Sequence, residues 1–344
     1  MTFDYAGTVV AWQKIHGRHE LPWQNTRDPY RVWLSEIMLQ QTQVTTVLDY
    51  FKRFLQRFPD VRSLAQAKLD DVLALWSGLG YYSRARNLHA CAGQVLSLYG
   101  GQFPRTVKQL QSLPGIGRST AGAIASLCFG ERVAILDGNV KRVLTRVLGF
   151  ELDLARTVHE KALWDQAEEL LPRTDLHRTM PAYTQGMMDL GATVCLSRKP
   201  LCQECPLSAN CKALAQDAVL KYPVKTRSLK RSAQSLWLLF AKTPDHAVWL
   251  NQRPTPGVWA GLHCFEIFEQ RGALEASLPA RYRSCLQDQP PVKHVLTHKD
   301  LYLHVVKVEL PAGSMKERAG GWFRQEAWSE LGLPAPIRKI LGAA

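Results

Sequence analysis

No apolar run in this 344-residue chain approaches the roughly 20 residues of a membrane-spanning helix. Met1 to Gly17 also lacks a cleavable signal pattern, so the expectation is a soluble, cytoplasmic protein with no membrane partner. Acidic residues are in short supply. Thirty Asp and Glu face 43 Lys and Arg, and the pI near 9.5 points to an anionic partner, nucleic acid first. There is neither an internal repeat nor a low-complexity tract, which leaves ordinary globular domains. The eight cysteines are unevenly spread. Cys91, Cys128, Cys264 and Cys285 are scattered, whereas Cys195, Cys202, Cys205 and Cys211 share one short segment.

The length exceeds the usual size of one core, and the 46% apolar content supports cores throughout, so two domains are expected. From Asp28 to about Ala215, helical periodicity is broken by Phe58-Pro59, Gly78-Leu-Gly80, Phe103-Pro104 and Leu113-Pro114, which predicts an all-helical half. Asp28-Pro29 opens one helix, with Val32, Trp33 and Ile37 at helical spacing behind it. Asp217 to Ser232 carries Lys221, Lys225, Arg227, Lys230 and Arg231 but one acid, and reads as a basic connector. Beyond it the period shortens, with strands over Ser235–Ala241, His246–Leu250 and Leu301–Leu310 and helices near Glu266–Leu278 and the C-terminus. The expected division is residues 1–216, a linker over 217–231, and an α+β domain over 232–344.

Three features carry chemistry. Leu113-Pro-Gly-Ile-Gly-Arg-Ser-Thr-Ala-Gly122 places Gly115 and Gly117 where a tight turn lets the amides entering the Arg118–Phe129 helix face an anion, forming a helical hairpin over about 107–129. Glu36 sits among Val32, Trp33, Leu39 and Gln40, an apolar setting that favours a protonated carboxyl able to donate near neutral pH. Asp137 precedes Gly138-Asn-Val-Lys-Arg, where a helix N-cap and the helix dipole are expected to keep it ionised. An acid held neutral beside one held charged is the division of labour that N-glycosidic cleavage needs: one protonates the leaving base, the other stabilises a cationic sugar.

The spacing Cys195-x6-Cys202-x2-Cys205-x5-Cys211 puts four thiols within seventeen residues, a metal-binding pattern. By ligand type alone, tetrahedral zinc and an iron-sulfur cluster are equally served. Arg198 and Lys199, between the first two ligands, could meet phosphates.

The hairpin and Asp137 resemble the helix-hairpin-helix glycosylases. Asp28-Pro-Tyr30, Ser35-Glu-Ile-Met-Leu-Gln-Gln-Thr-Gln-Val44, Gly78-Leu-Gly-Tyr-Tyr-Ser-Arg-Ala-Arg-Asn87 and the cysteine loop together resemble the MutY family of adenine DNA glycosylases. The resemblance implies an all-helical glycosylase domain with a [4Fe-4S] cluster on the loop 195–211, then a Nudix-like domain. It implies that Glu36 protonates adenine, Asp137 stabilises the sugar cation and Asn139 supports the reacting centre. It assigns DNA contacts to Gln41, Tyr81, Gly115, Gly117, Arg118 and Ser119, and an adenine pocket to Trp23, Arg27, Leu39 and Gln185. Ser119 stands where bifunctional members carry a nucleophilic lysine, which implies base removal without strand cleavage. The implied substrate is duplex DNA with adenine opposite 8-oxoguanine or guanine, bound by a monomer of bacterial, nucleoid-associated type.

Trp249-Leu-Asn-Gln-Arg-Pro-Thr-Pro-Gly-Val-Trp-Ala-Gly-Leu262 resembles the Nudix-like domain of that family, yet Phe265–Ser277 has no Arg-Glu-x-x-Glu-Glu to hold magnesium. Recognition rather than hydrolysis follows. Leu296-Thr-His298 occupies the family's lesion-reading Phe-Ser-His tip, keeping two hydrogen-bonding side chains but losing the stacking ring. A pyrimidine-specific lyase, a Nudix pyrophosphatase and a non-enzymatic iron-sulfur DNA-binding module are the competing readings.

Overall fold

The computed structural model describes residues 3–226, 231–315 and 318–343. Contacts divide the chain into two compact units, Met1–Ala65 with Ala90–Ser228, and Gln66–His89 with Leu229–Ala344. The helical stretch Gln66–His89 thus groups with the C-terminal half rather than with the helices flanking it in sequence. Within the expected connector, Arg227 and Lys230 lie outside the described residues.

The first unit is helical, as its periodicity predicts. Asp28 caps the Pro29–Leu39 helix, its carboxylate accepting from the Tyr30 amide at 3.0 Å, with proline in the first turn. The Gly138–Leu148 helix shows one apolar stripe, Val140, Val143, Leu144 and Val147, all buried. That stripe packs in a core with Tyr5, Val9, Leu163, Met180, Met187 and Leu190 from the surrounding helices. A helix over Tyr5–His16, N-capped by Asp4, joins this core ahead of the expected first one. Two close approaches in this unit depend on glycine. A Cβ on Gly122 would lie 2.7 Å from the Ala134 carbonyl oxygen, and one on Gly191 would lie 2.6 Å from the Asn139 Cβ.

The second unit is built on a mixed eight-stranded sheet. Its axis is a parallel pair, Ser232–Lys242 beside Lys299–Glu309, in continuous register from Ser232 opposite Lys299 to Lys242 opposite Glu309. The Val248–Gln252 strand pairs through Asn251 and Gln252 with His263–Cys264 and through Val248, Trp249 and Leu250 with Gly321–Phe323, and Val292–Val295 forms a hairpin with Lys299–Glu309. The helix expected near Glu266–Leu278 is shorter than the sequence implies: Glu266–Phe268 is a strand paired with Trp237–Leu239, and the helix spans Arg271–Ala276. Aromatic and β-branched content at Glu266-Ile-Phe268 outweighs the helical pattern once an edge is available. Ser77 and Tyr82 donate to the Leu333 carbonyl, and Arg86 donates to that of Ala260, tying Gln66–His89 into this unit.

Substituting Gly122→Ala is expected to destabilise the helical unit by about 1–3 kcal/mol, because the new methyl meets backbone rather than a movable side chain. A melting temperature equal to that of the wild type would contradict this packing.

Candidate active site and cysteine loop

Glu36 projects from the third turn of the Pro29–Leu39 helix, whose other face buries Trp33, Leu34, Ile37 and Met38. Burial, and secondarily the charge of Asp137, push its carboxyl up to about 7. Asp137 caps the Gly138–Leu148 helix, Oδ1 accepting from the Val140 amide at 2.7 Å. The cap forms as expected, but its electrostatic consequence differs. Burial raises the Asp137 pKa, and the hydrogen bonds from the Val140 and Asn139 amides, with the charges of Arg142 and Lys141, only oppose that rise. Desolvation outweighs the cap because the half-buried carboxylate loses more hydration than its amide partners return. Burial therefore raises both acids, and the charge of Asp137 adds to the rise at Glu36.

Asn139 is held by Arg142, whose Nη2 donates to Asn139 Oδ1 at 2.8 Å and to the Gly191 carbonyl at 2.6 Å. Ser119 does something the sequence did not reveal. Its Oγ accepts from the Leu136 amide at 3.2 Å and so fixes the backbone immediately before Asp137. Of the two hairpin glycines, only Gly115 has a positive φ, +75°. Gly117 is extended, with φ −81° and ψ 172°, and a Cβ there would meet nothing within 4 Å. Its value is open space beside an N-terminus with no side-chain cap, not a turn that forbids a side chain. The Arg118 guanidinium lies 3.9 Å from the Trp164 ring centroid, with Glu168 3.9 Å from its Nη2, so this cation is already engaged.

Trp23, Arg27 and Gln185 line one cavity with about 980 Å³ of open space, together with Val32, one helical turn before Glu36. Leu39 is half-buried at the end of the same helix and is not among the lining residues. Arg27 Nη1 meets His177 Nε2 at 2.8 Å. Gln185 is half-buried and donates from Nε2 to Asp189 Oδ1 at 3.0 Å. Gln41 is exposed and holds a left-handed backbone with φ +56°, a strained conformation for a residue with a side chain.

The four thiols line one cavity beside Val143, Arg146 and Val147 of the Gly138–Leu148 helix. Among the described residues no three His, Cys, Asp or Glu side chains are arranged to hold a single ion. Arg146 is buried to 1% exposure. Its Nη1 donates to Cys195 Sγ at 3.3 Å and to the Leu196 carbonyl at 2.7 Å, its Nη2 to the Ser197 carbonyl, and its Nε is buried without a partner. A buried guanidinium with a spare donor fits a centre made of anionic thiolates. Arg198 and Lys199 are exposed on the same loop. Sequence reasoning missed Arg142 and Arg146; their i, i+4 spacing on the face opposite the apolar stripe was the available signal.

In the second unit, Leu296–His298 is the tip of the hairpin between Val292–Val295 and Lys299–Glu309, closed by the Leu296 amide on the Lys299 carbonyl at 2.8 Å. This tip and Tyr81 line a shared cavity, and Tyr81 is hydrogen-bonded to the Thr297 hydroxyl. Tyr81 also has a positive φ, +47°, and its ring is partly exposed. Trp259, with φ +59°, enters the same cavity beside His294, an aromatic contribution the tip alone does not suggest. The Arg271–Ala276 helix carries one acid, Glu275, paired with Arg271.

Residues 34–168 match the family described as HhH-GPD superfamily base excision DNA repair protein, and residues 237–343 match the NUDIX domain. The chain is 38% identical over 345 residues to the adenine DNA glycosylase of Buchnera aphidicola subsp. Acyrthosiphon pisum, covering 98% of this chain and 97% of that one. Its identity to the Homo sapiens adenine DNA glycosylase is 43% over 222 residues, 61% of this chain and 39% of the human one. A thermostable thymine-DNA glycosylase superposes with TM-score 0.54 at 29% identity, over 62% of this chain and 95% of that one. An endonuclease III–DNA complex gives 0.51 at 22% identity, over 62% and 94%, a likeness of fold.

Isotope-edited infrared titration of Glu36 is expected to give half-protonation near pH 7, moving downward in Asp137→Asn because a neighbouring negative charge is removed. A midpoint in the ordinary glutamate range would contradict the enclosed site.

Proposed function

The chain belongs to the adenine DNA glycosylase family, a helix-hairpin-helix glycosylase domain followed by a Nudix-like domain, and on that premise we propose that it excises adenine paired opposite 8-oxoguanine, and opposite guanine. The observation that carries this reading is the Glu36–Asp137 pair, two half-buried acids of which burial and the neighbouring charge hold the Glu36 proton up to about pH 7.

An extruded adenine would take the Trp23–Gln185 cavity, since the target base cannot be reached within the stack. Protonated Glu36 then donates to the base nitrogen, making adenine a neutral leaving group. The charged form of Asp137, which also adds to the rise at Glu36, stabilises the cationic sugar. Asn139, held by Arg142, supports that centre. Ser119 has no amine to form a Schiff base and is committed to the Leu136 amide, so the product is an abasic site on an intact strand. The Gly115–Gly117 turn and the uncapped helix behind it suit a backbone phosphate, and the strained, exposed Gln41 suits insertion where the base has left.

Cys195, Cys202, Cys205 and Cys211 would hold a [4Fe-4S] cluster, their four thiols lining one cavity next to the spare donor of Arg146. When bound, such a cluster supplies cross-linking of the loop and a charge partner for Arg146. The Thr297 and His298 side chains, with Tyr81 and Trp259, suit reading of the opposite base, and Leu296 adds apolar rather than stacking contact.

Single-turnover assays on duplexes with adenine opposite 8-oxoguanine, guanine or thymine should release free adenine fastest from the first and yield no borohydride-trapped adduct. Asp137→Asn should abolish release while sparing duplex binding. Absence of free adenine from every duplex would overturn the reading, and a trapped adduct would restore a lyase. Iron and acid-labile sulfide are expected in the purified protein; stoichiometric zinc in their place would remove the cluster.

A further inference from the structure

Arg231, the last residue of the basic connector, has no part in the chemistry proposed so far, yet its side chain is spent on the hairpin tip. Nη2 donates to the Leu296 carbonyl at 3.0 Å, and Nη1 donates to the Thr297 carbonyl at 3.3 Å. The next amide, that of Ser232, donates to the His298 carbonyl at 3.0 Å. Arg231 Nη2 also pairs with Asp300 Oδ1, and Lys293 Nζ lies 3.0 Å from the other oxygen of that carboxylate.

Three successive carbonyls in a surface hairpin loop would ordinarily face water. Here each accepts from the Arg231–Ser232 end of the connector. Across a trans peptide the N–H lies opposite the C=O, so turning the Leu296 and Thr297 carbonyls to Arg231 turns the Thr297 and His298 amides away from it. Leu296, Thr297 and His298 line the cavity that also holds Tyr81 and Trp259, whereas Arg231 is not among its lining residues. The tip is thus held through its carbonyls by the connector and through the Thr297 hydroxyl by Tyr81. An exposed ion pair alone is worth little, because water screens it. A guanidinium adds direction, since its planar fork meets two carbonyls and a carboxylate together, which an ammonium on a flexible stem does not.

We propose that Arg231 is a positioning residue for opposite-base discrimination, fixing the tip backbone so that the Thr297 and His298 side chains are presented to the base opposite adenine. The inference rests on the reading that this tip meets that base. It assigns Arg231 no contact with the substrate.

The test is the ratio of single-turnover adenine release opposite 8-oxoguanine to that opposite guanine, with the salt dependence of duplex binding measured alongside. In Arg231→Ala the ratio should fall about tenfold, the worth of one charge-assisted hydrogen bond, while the salt slope stays that of the wild type. In Arg231→Lys the ratio should fall likewise, because the charge is kept and the fork is lost. Lys225→Ala, which removes an exposed cation of the same connector, should leave the ratio unchanged. Should Arg231→Ala fail to fold, as melting would reveal, Arg231→Lys decides. An Arg231→Ala variant that weakens every duplex equally, lowers the salt slope by about one and keeps the ratio would make Arg231 a phosphate contact and overturn the inference alone. A ratio that Arg231→Lys retains would make charge rather than geometry the cause and overturn it too. A wild type that releases adenine with no preference between the two partners overturns the opposite-base reading and the inference with it.

Discussion

The hydrogen bond from the Val140 amide to Asp137 Oδ1, 2.7 Å long, fixes a carboxylate at the start of a helix whose far turns reach the cysteine loop. Along that helix the roles follow its pitch. Val140, Val143, Leu144 and Val147 face the core, while Arg142 and Arg146 turn toward the Cys195 segment and bind its carbonyls. A displacement of the loop would therefore move Arg142, and with it Asn139 beside Asp137. Gly191 allows the neighbouring helix to lie against Asn139, so the turn bearing Asp137 has little room to relax. Asp137 and the four-thiol loop are thus tied to one helix, which gives the proposed cluster a structural link to the proposed reacting centre.

Much of this was legible from residue order alone. Asp28-Pro29 and the glycines flanking the Arg118–Phe129 helix mark helix ends because capping and backbone freedom are local properties. The parallel pairing of Ser232–Lys242 with Lys299–Glu309 was not legible, since register over so long a separation is set by tertiary packing. Nor was the grouping of Gln66–His89 with the C-terminal half, which depends on hydrogen bonds such as Ser77 to Leu333. At the site, the apolar neighbours of Glu36 correctly implied a raised pKa. For Asp137 the same rule was outweighed in the sequence reading by its cap, although burial turns out to dominate. Burial of a particular carboxylate is a property of the fold, and the motif Asp-Gly-Asn carries no record of it.

In the C-terminal unit the sheet keeps the architecture of the NUDIX domain it matches. Glu275 is the one acid on the Arg271–Ala276 helix, and Arg271 occupies it. Polar groups gather instead at the Leu296–His298 tip, where Tyr81 and Trp259 bring rings that the tip lacks. Tyr81 and Trp259 also hold left-handed backbone there, with φ +47° and +59°.

The proposed excision depends most on Glu36 acting as a proton donor. Its most direct test is the single-turnover rate of adenine release as a function of pH. Because a raised carboxyl pKa leaves the acid protonated below about 7, the rate should fall as pH rises through that value, and Glu36→Gln should abolish both the activity and the profile. A rate that is flat through that region, or a Glu36→Gln variant that keeps the wild-type rate, would contradict it.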